Sequence, residues 1–305
     1  MRLKLGTRGS DLARTQSGWV AERLEAAGHD VELVVIRTAG DRSQAPSFGS
    51  IGAQGVFVRE IEQALLGGEI DLAVHSFKDL PTASPTGLAI AAVPPREDPA
   101  DVLIVSANAY DAAGAEGLPV APEARIGTSS MRRSVWLEQL RPDLAVRPLR
   151  GNVPTRIDKL RSGEYDAIVL AAAGLARLSG PGGVLADALA DLHVARLDPR
   201  RFVSAPAQGA LAVQCRADDA DIVAALSALD DRPTRSAVAI EREALRRAEG
   251  GCNTAFGAYC TANDDGFRVS AMLERAGRII FAEASGETET DTVDRLWQVI
   301  DEAAQ

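Results

Sequence analysis

Residues Val56 to Pro81 read VFVREIEQALLGGEIDLAVHSFKDLP. Apolar residues recur at helical spacing from Val56 to Leu66, Gly67-Gly68 stops the helix, and Asp71 to His75 follows as a short buried strand. The strand runs out into Ser76-Phe77-Lys78-Asp79-Leu80-Pro81, a polar turn ended by proline. Helix, glycine stop, buried strand and polar turn form the repeating unit of an α/β fold, whose ligands bind beyond the carboxyl ends of the strands. Lys78 and Asp79 are therefore expected at a crevice. A lysine there can hold a carboxylate, and an aspartate can stabilise a developing cation or relay a proton. An exposed Lys-Asp loop without a ligand is the competing reading.

The same grammar extends in both directions. Upstream, Arg2 to Gly6 reads as a strand, Asp11 to Ala27 as a helix and Val31 to Thr38 as a strand; downstream, Leu88 to Val93 is another strand. Such alternation predicts a mostly parallel sheet covered by helices. Pro94-Pro95 and Glu97-Asp98-Pro99 mark a crossing into a second unit. There, strands are expected at Val102 to Ser106, Arg125 to Gly127, Ala145 to Leu149 and Asp166 to Leu170, with helices at Met131 to Leu140 and Val153 to Arg161. From about Arg232 the pattern changes. A helix from Thr234 to Ala248 stops at Gly250-Gly251, and Phe256 to Thr261, Phe267 to Glu274 and Arg278 to Ala284 alternate as an antiparallel meander. A helix from Asp291 to Ala304 completes a small α+β unit.

The chain has 305 residues, 46% of them hydrophobic and 25% charged, which fits two or three globular domains. Arg8 interrupts the amino terminus before an apolar core can form, so no secretory signal is read there. The longest apolar stretch, Ala167 to Ala176, is about half of a bilayer span. A cytoplasmic protein without a membrane segment is expected. Three cysteines make neither an even disulfide framework nor a pair of metal clamps, and three histidines give little support to a metal site, so no metal is expected. The net charge of −10 argues against nucleic acid as a partner. Yet Arg132, Arg133, Arg147, Arg150 and Arg156 crowd one short stretch. A local cationic cluster on an acidic protein points to a focused site for a small anion.

Two strand-to-helix turns carry that cluster. In Gly127-Thr128-Ser129-Ser130-Met131-Arg132-Arg133, free backbone N–H groups, three hydroxyls and the helix dipole can face an anion while two guanidiniums add bidentate bonds. A serine-capped helix with solvated arginines is the alternative. Leu149-Arg150-Gly151-Asn152-Val153-Pro154-Thr155-Arg156 repeats the design, and Arg8 with Ser10 makes a further site of this kind after the first strand. Glu249-Gly250-Gly251-Cys252-Asn253 holds a thiol in a glycine-rich loop, where cationic neighbours would make it reactive and burial would make it inert. Cys215 and Cys260 lie in apolar or alternating strands and read as packing residues.

Thr7-Arg8-Gly9-Ser10, His75-Ser76-Phe77-Lys78-Asp79, Gly127-Thr128-Ser129-Ser130-Met131-Arg132-Arg133, Leu149-Arg150-Gly151-Asn152, Gln208-Gly209-Ala210 and Glu249-Gly250-Gly251-Cys252 together resemble the hydroxymethylbilane synthases, or porphobilinogen deaminases, in order and spacing over nearly the whole chain. The resemblance implies two α/β domains shaped like a solute-binding-protein hinge pair and a small α+β C-terminal domain with a three-stranded antiparallel sheet. It places domain 1 at 1–96 and 205–225, domain 2 at 97–204 and domain 3 at 226–305. It also implies a dipyrromethane cofactor, joined to Cys252 by a thioether and made from the substrate's own pyrrole units. Porphobilinogen would lose ammonia to give an azafulvene, which the free α-carbon of the terminal pyrrole attacks. Four additions and one hydrolysis would then release the linear tetrapyrrole of haem biosynthesis.

Each pyrrole brings an acetate and a propionate, which explains the arginines. By resemblance, Asp79 stabilises the pyrrolic cation. Ser76, Lys78, Asp79, Thr128, Ser129, Ser130, Arg132, Arg133, Arg150 and Gly151 hold the cofactor, and Arg8, Ser10, Gln16, Phe57, Arg150, Arg156, Arg177 and Gln208 hold the substrate. A monomer is implied. Ser50 and Gln54 stand where the family commonly has lysines, and Ser204, Ala207, Gln214 and Ala255 stand where it commonly has proline, glycine, glutamate and proline. A non-catalytic two-domain protein that closes on an anionic small molecule is the alternative from another class; it would need neither the thiol nor Asp79.

Overall fold

The computed structural model describes residues 1–36, 53–180, 183–185, 187–248 and 255–304, and all their side chains except those of 53–57. Cys252 with its loop, Ser50 and the end of the second expected strand lie outside the described residues, as do the side chains of Gln54 and Phe57.

The first sheet contains β1 (Arg2–Thr7), β2 (Asp30–Val35), β3 (Leu72–Ser76), β4 (Leu88–Ala92) and β10 (Leu211–Arg216), in the order β2-β1-β3-β10-β4. Around it lie α1 (Asp11–Ala26), α2 (Ala53–Leu66) and α6 (Ala220–Ser227). Ser10 caps α1 by accepting from the Ala13 amide, and the helix buries Gln16, Ser17, Val20, Ala21 and Leu24, one stripe at helical spacing. Leu3, Leu5, Leu72 and Val213 are fully inaccessible. Each such side chain contributes about 1.5–3 kcal/mol of apolar burial.

The second sheet contains β5 (Asp101–Ser106), β6 (Arg125–Gly127), β7 (Ala145–Arg147), β8 (Ala167–Ala171) and β9 (Leu192–Arg196), in the order β7-β6-β8-β5-β9. Its helices are α3 (Met131–Leu140), α4 (Val153–Arg161) and α5 (Ala172–Ser179). Beyond it, β11 (Phe256–Asn263), β12 (Gly266–Arg275) and β13 (Arg278–Gly286) form the antiparallel meander, packed against α7 (Arg232–Arg247) and α8 (Glu289–Ala303). Among the described residues, one strand and two α-helices escape the sequence reading. Leu192–Arg196 is a mostly exposed strand without apolar alternation, Ala172–Ser179 hides in an alanine-rich run that continues a strand, and Ala220–Ser227 is a two-turn helix.

Each large sheet departs from the expected parallel order at one strand. β10 is antiparallel to both β3 and β4, and β5 is antiparallel to both β8 and β9. These are the two strands that follow a crossing between the sheets. Because each runs backwards, Leu211 starts beside Ser76, the last residue of β3, and Asp101 starts beside Ala171, the last residue of β8. Both crossings therefore run along the carboxyl edges of the parallel strands, where strand-end turns gather. The crossings are stitched together: the Glu97 amide donates to the Gly209 carbonyl at 3.2 Å, and Arg96 Nε donates to the Gln208 carbonyl at 2.8 Å.

That stitching leaves one residue strained. Ala207 has φ 61°, the left-handed region in which a side chain costs about 1–2 kcal/mol. Gly209, at φ 89°, has no room for a side chain, since a Cβ would lie 2.3 Å from the Glu97 carbonyl oxygen. Ala207→Gly is expected to stabilise the protein by about 1 kcal/mol, and Gly209→Ala to destabilise it by about 2 kcal/mol or more, in thermal or urea unfolding.

Candidate active site

The site grows from Asp101, which is fully buried at the carboxyl edge of the second sheet. Its Oδ2 accepts from Arg132 at 2.8 Å, and its Oδ1 accepts from both Nε and Nη2 of Arg133, at 3.1 and 2.6 Å, and from Gln208 Nε2 at 2.9 Å. Burial would raise its pKa, but the two guanidiniums and the amide outweigh that cost and hold the carboxyl well below its usual range. Gln208 is itself fully buried; its amide nitrogen also donates to the Pro99 and Ala100 carbonyls, and its Oε1 accepts from Lys78 Nζ at 3.1 Å. One hydrogen-bonded chain thus runs from the turn after β3, through both crossings, to the first turn of α3.

Arg132 and Arg133 occupy the inward stripe of α3 with Trp136 and Leu137. The sequence reading makes them ligand clamps. Among the described residues, however, they are buried and turned onto Asp101, with further bonds to the carbonyls of Val203 and Val169. Two guanidiniums against one carboxylate leave the cluster with net positive charge. Ser130 stands at the N-cap of α3 without a capping side-chain bond, while Thr128 Oγ1 accepts from the Ser130 amide at 3.2 Å. Ser129 ties the two basic turns together: its hydroxyl donates to the Leu149 carbonyl at 2.8 Å and accepts from the Leu149 amide at 3.0 Å.

In the second turn Gly151 takes φ 119°, which an L side chain rarely adopts. Asn152 caps α4 through the Thr155 amide, and Arg156 Nε donates to the Gly151 carbonyl at 2.7 Å. Arg150 is exposed and has no hydrogen-bond or ion-pair partner among the described residues. Burial and the nearby Arg133 charge lower the pKa of Arg156, so excess positive charge extends to this turn.

At the strand-end turns of the first sheet, Gln16 and Ser76 hydrogen-bond each other at 2.9 Å, and Asp79 is exposed beside the partly buried Lys78. Burial pushes the Lys78 ammonium down to about 8; the Asp79 carboxylate opposes that shift and the Arg133 charge adds to it. Arg177 points to the crossing instead, donating to the Gly209 carbonyl at 2.8 Å. Cys215 and Cys260 are both buried, and burial pushes both thiols up, so neither is poised as a thiolate.

Sequence reasoning missed Asp101, Arg96, Glu241 and Arg242. Glu241 is fully buried and accepts from Arg96 at 2.7 and 2.9 Å, from the Ala207 amide and from the Cys260 amide. A signal existed: Glu241 interrupts the apolar stripe Ala237, Ile240, Ala244 of α7, and Asp101 heads the apolar run Val102 to Val105. A carboxylate at a core position needs buried donors. Taken together, the guanidinium of Arg150, the uncapped start of α3 and the Lys78 ammonium are donors suited to a ligand with several carboxylates. The dipyrromethane, with two pyrroles that each carry such groups, fits them.

The sequence family described as "Porphobilinogen deaminase, dipyromethane cofactor binding domain" matches residues 3–224. A porphobilinogen deaminase of Streptococcus sanguinis is 43% identical over 288 residues, covering 93% of this chain and 90% of that protein. One of Mycobacterium tuberculosis is 48% identical over 287 residues, covering 93% and 87%. Among solved structures, a periplasmic binding protein of Salmonella typhimurium with high arginine specificity aligns at 10% identity and a TM-score of 0.41, covering 77% of this chain and 93% of that one. The sheet orders, not so distant a likeness, carry the fold. No helix among the described residues is long and apolar enough to cross a membrane. Matched along nearly all of its length at this level of identity, the chain belongs to the porphobilinogen deaminase family.

Proposed function

We propose that this chain is a transferase that deaminates porphobilinogen and joins four molecules head-to-tail on a covalent dipyrromethane primer. It releases hydroxymethylbilane and ammonia in tetrapyrrole biosynthesis. The observation that carries this reading is family membership over 93% of the chain. The exposed Asp79 carboxylate, beside Lys78 and a net-positive buried cluster, supports it further. Non-catalytic binding of an anion is not favoured, because the relatives matched at that coverage bear an enzyme's name. The three sheets correspond in this reading to domains at 1–96 with 205–225, 97–204 and 226–305. The protein acts as a cytoplasmic monomer.

When bound, the dipyrromethane supplies the free pyrrole carbon to which the next unit is joined, and Cys252 is its point of attachment. Arg150 takes ligand carboxylates bidentately, and Arg156, Arg8, Ser10, Ser129, Ser130, Gly151 and the free amides at the start of α3 add further donors, while Thr128 shapes the turn that presents them. Arg132 and Arg133 act through their field while Asp101 holds them, and Gln208, Gln16, Ser76 and Arg177 keep the strand-end turns in place. Phe57, whose side chain lies outside the described residues, is assigned to the substrate by the resemblance alone. Asp79 faces the positive charge that develops on the pyrrole nitrogen once the aminomethyl group loses ammonia; an anion already positioned there needs no reorganisation at the moment of reaction.

Three outcomes follow. Cys252→Ser is expected to fold without the covalent adduct and without tetrapyrrole formation, whereas Cys215→Ser and Cys260→Ser keep the adduct; intact mass decides, and an adduct on either of those residues overturns the assignment. Asp79→Asn, confirmed by mass to carry the primer, is expected to bind substrate while ammonia release falls by about 10²-fold or more, and Asp79→Glu to retain low activity. Near wild-type turnover by Asp79→Asn would return that residue to a loop role. The third concerns Lys78, largely neutral above pH 8 in protein without primer. Carboxylates favour its charged form, so binding of porphobilinogen to Cys252→Ser at pH 8.5 should take up a fraction of a proton, and affinity should fall as pH rises through 8. Calorimetry in two buffers of different ionisation enthalpy measures the uptake, which adding Lys78→Gln should abolish.

A further inference from the structure

Among the described residues none donates a hydrogen bond to Asp79, so of these it is the backbone of its own turn that places the carboxylate. That turn is a single 3-10 turn, Phe77–Asp79, closed by one bond from the Leu80 amide to the Phe77 carbonyl at 3.2 Å and tied to the sheet by the Phe77 amide on the Ala210 carbonyl at 3.0 Å. So short an element does not hold a geometry by itself. Besides that tie and the Lys78 bond to Gln208, the turn is held from α7. Arg242 Nη1 donates to the Phe77 carbonyl at 3.2 Å and the Leu80 carbonyl at 3.1 Å, Nη2 donates to the Pro81 carbonyl, and the guanidinium lies 4.4 Å from the Phe77 ring centre.

Val238, one helical turn earlier on α7, packs in the same apolar cluster as Phe77, Leu80 and Ala210. Burial pushes Arg242 down to about 10, so it stays cationic at neutral pH, and among the described residues it has no carboxylate partner. Its charge is spent on carbonyl oxygens at the exit of the turn, as a cation at a helix C-terminus would be. The helix that delivers it is anchored one residue earlier by Glu241 and precedes Cys252, which stands ten residues after Arg242 in sequence.

We propose that Arg242 is a positioning residue for Asp79, setting where the carboxylate stands by clamping three carbonyls of its turn and registering that turn to the helix that leads to the cofactor loop. This rests on the catalytic reading of Asp79 given above. Asp79 should move when the clamp is lost, and a misplacement of about 1 Å costs on the order of 10²-fold in rate. The test uses holoenzyme, with the primer confirmed by intact mass in every variant and porphobilinogen as the probe. Arg242→Gln is expected to lower kcat for ammonia release by about 10- to 100-fold while KM changes less than about threefold, and Arg242→Lys, which keeps the cation, to recover part of the loss.

A double-mutant cycle separates positioning from general support. In an Asp79→Asn background, Arg242→Gln should cost little further, because the group it positions is already neutral. If Arg242→Gln carries the primer and turns over within twofold of wild type, or if its full loss persists in the Asp79→Asn background, the proposal fails. Should Arg242→Gln not fold, Arg242→Lys is judged by the same cycle. Wild-type protein without adduct and without ammonia release would instead remove the catalytic reading; with active wild type, only the variants decide.

Discussion

Asp101 is a carboxylate with no access to water, held by two arginines and a glutamine. Removing such a charge from water costs several kcal/mol, and the cost is offset only when good donors surround it. The donors here come from different parts of the chain: α3 supplies Arg132 and Arg133, and the returning crossing supplies Gln208. Truncating any one of them would leave buried charge unmatched. The two crossings, the second sheet and the turn after β3 are therefore held in one arrangement by one group. Because β5 runs against its neighbours, Asp101 stands at the edge where the strand-end turns gather.

Glu241 repeats the principle for the meander domain. It gathers Arg96 from the first crossing, the amide of strained Ala207 from the second and the amide of Cys260 from β11. The two buried carboxylates bind the same pair of crossing segments and are linked through the Arg96 bond to the Gln208 carbonyl. Breaking a buried ion pair of this kind is costly, because it leaves one charge buried without its partner. Ala207 keeps its unfavourable φ because Glu241 and Gly209 over-determine the backbone on either side of it.

Burial divides the arginines that composition presents as one cluster. Arg132 and Arg133 are spent on Asp101, while Arg150 stays exposed; outside that cluster, Arg177 is spent on the Gly209 carbonyl and Arg242 on the carbonyls of Phe77, Leu80 and Pro81. Exposure, not residue type, separates the guanidinium open to solvent from those already spent on partners within the protein.

The sequence by itself determined the alternation of strands and helices, the strand-end location of Lys78, Asp79, Thr128 and Arg150, and the family to which their order belongs. These follow from local rules: periodicity, glycine and proline punctuation, and the polar turns that close buried strands. It did not determine the reversed direction of β5 and β10, since strand direction depends on which neighbour a segment meets after a crossing. Nor did it reveal that Gln208 and the paired arginines of α3 face inward. Asp101, Glu241 and Arg242 look like ordinary charged residues until the fold brings donors from distant segments to them, because the desolvation that makes a buried charge decisive exists only in tertiary structure.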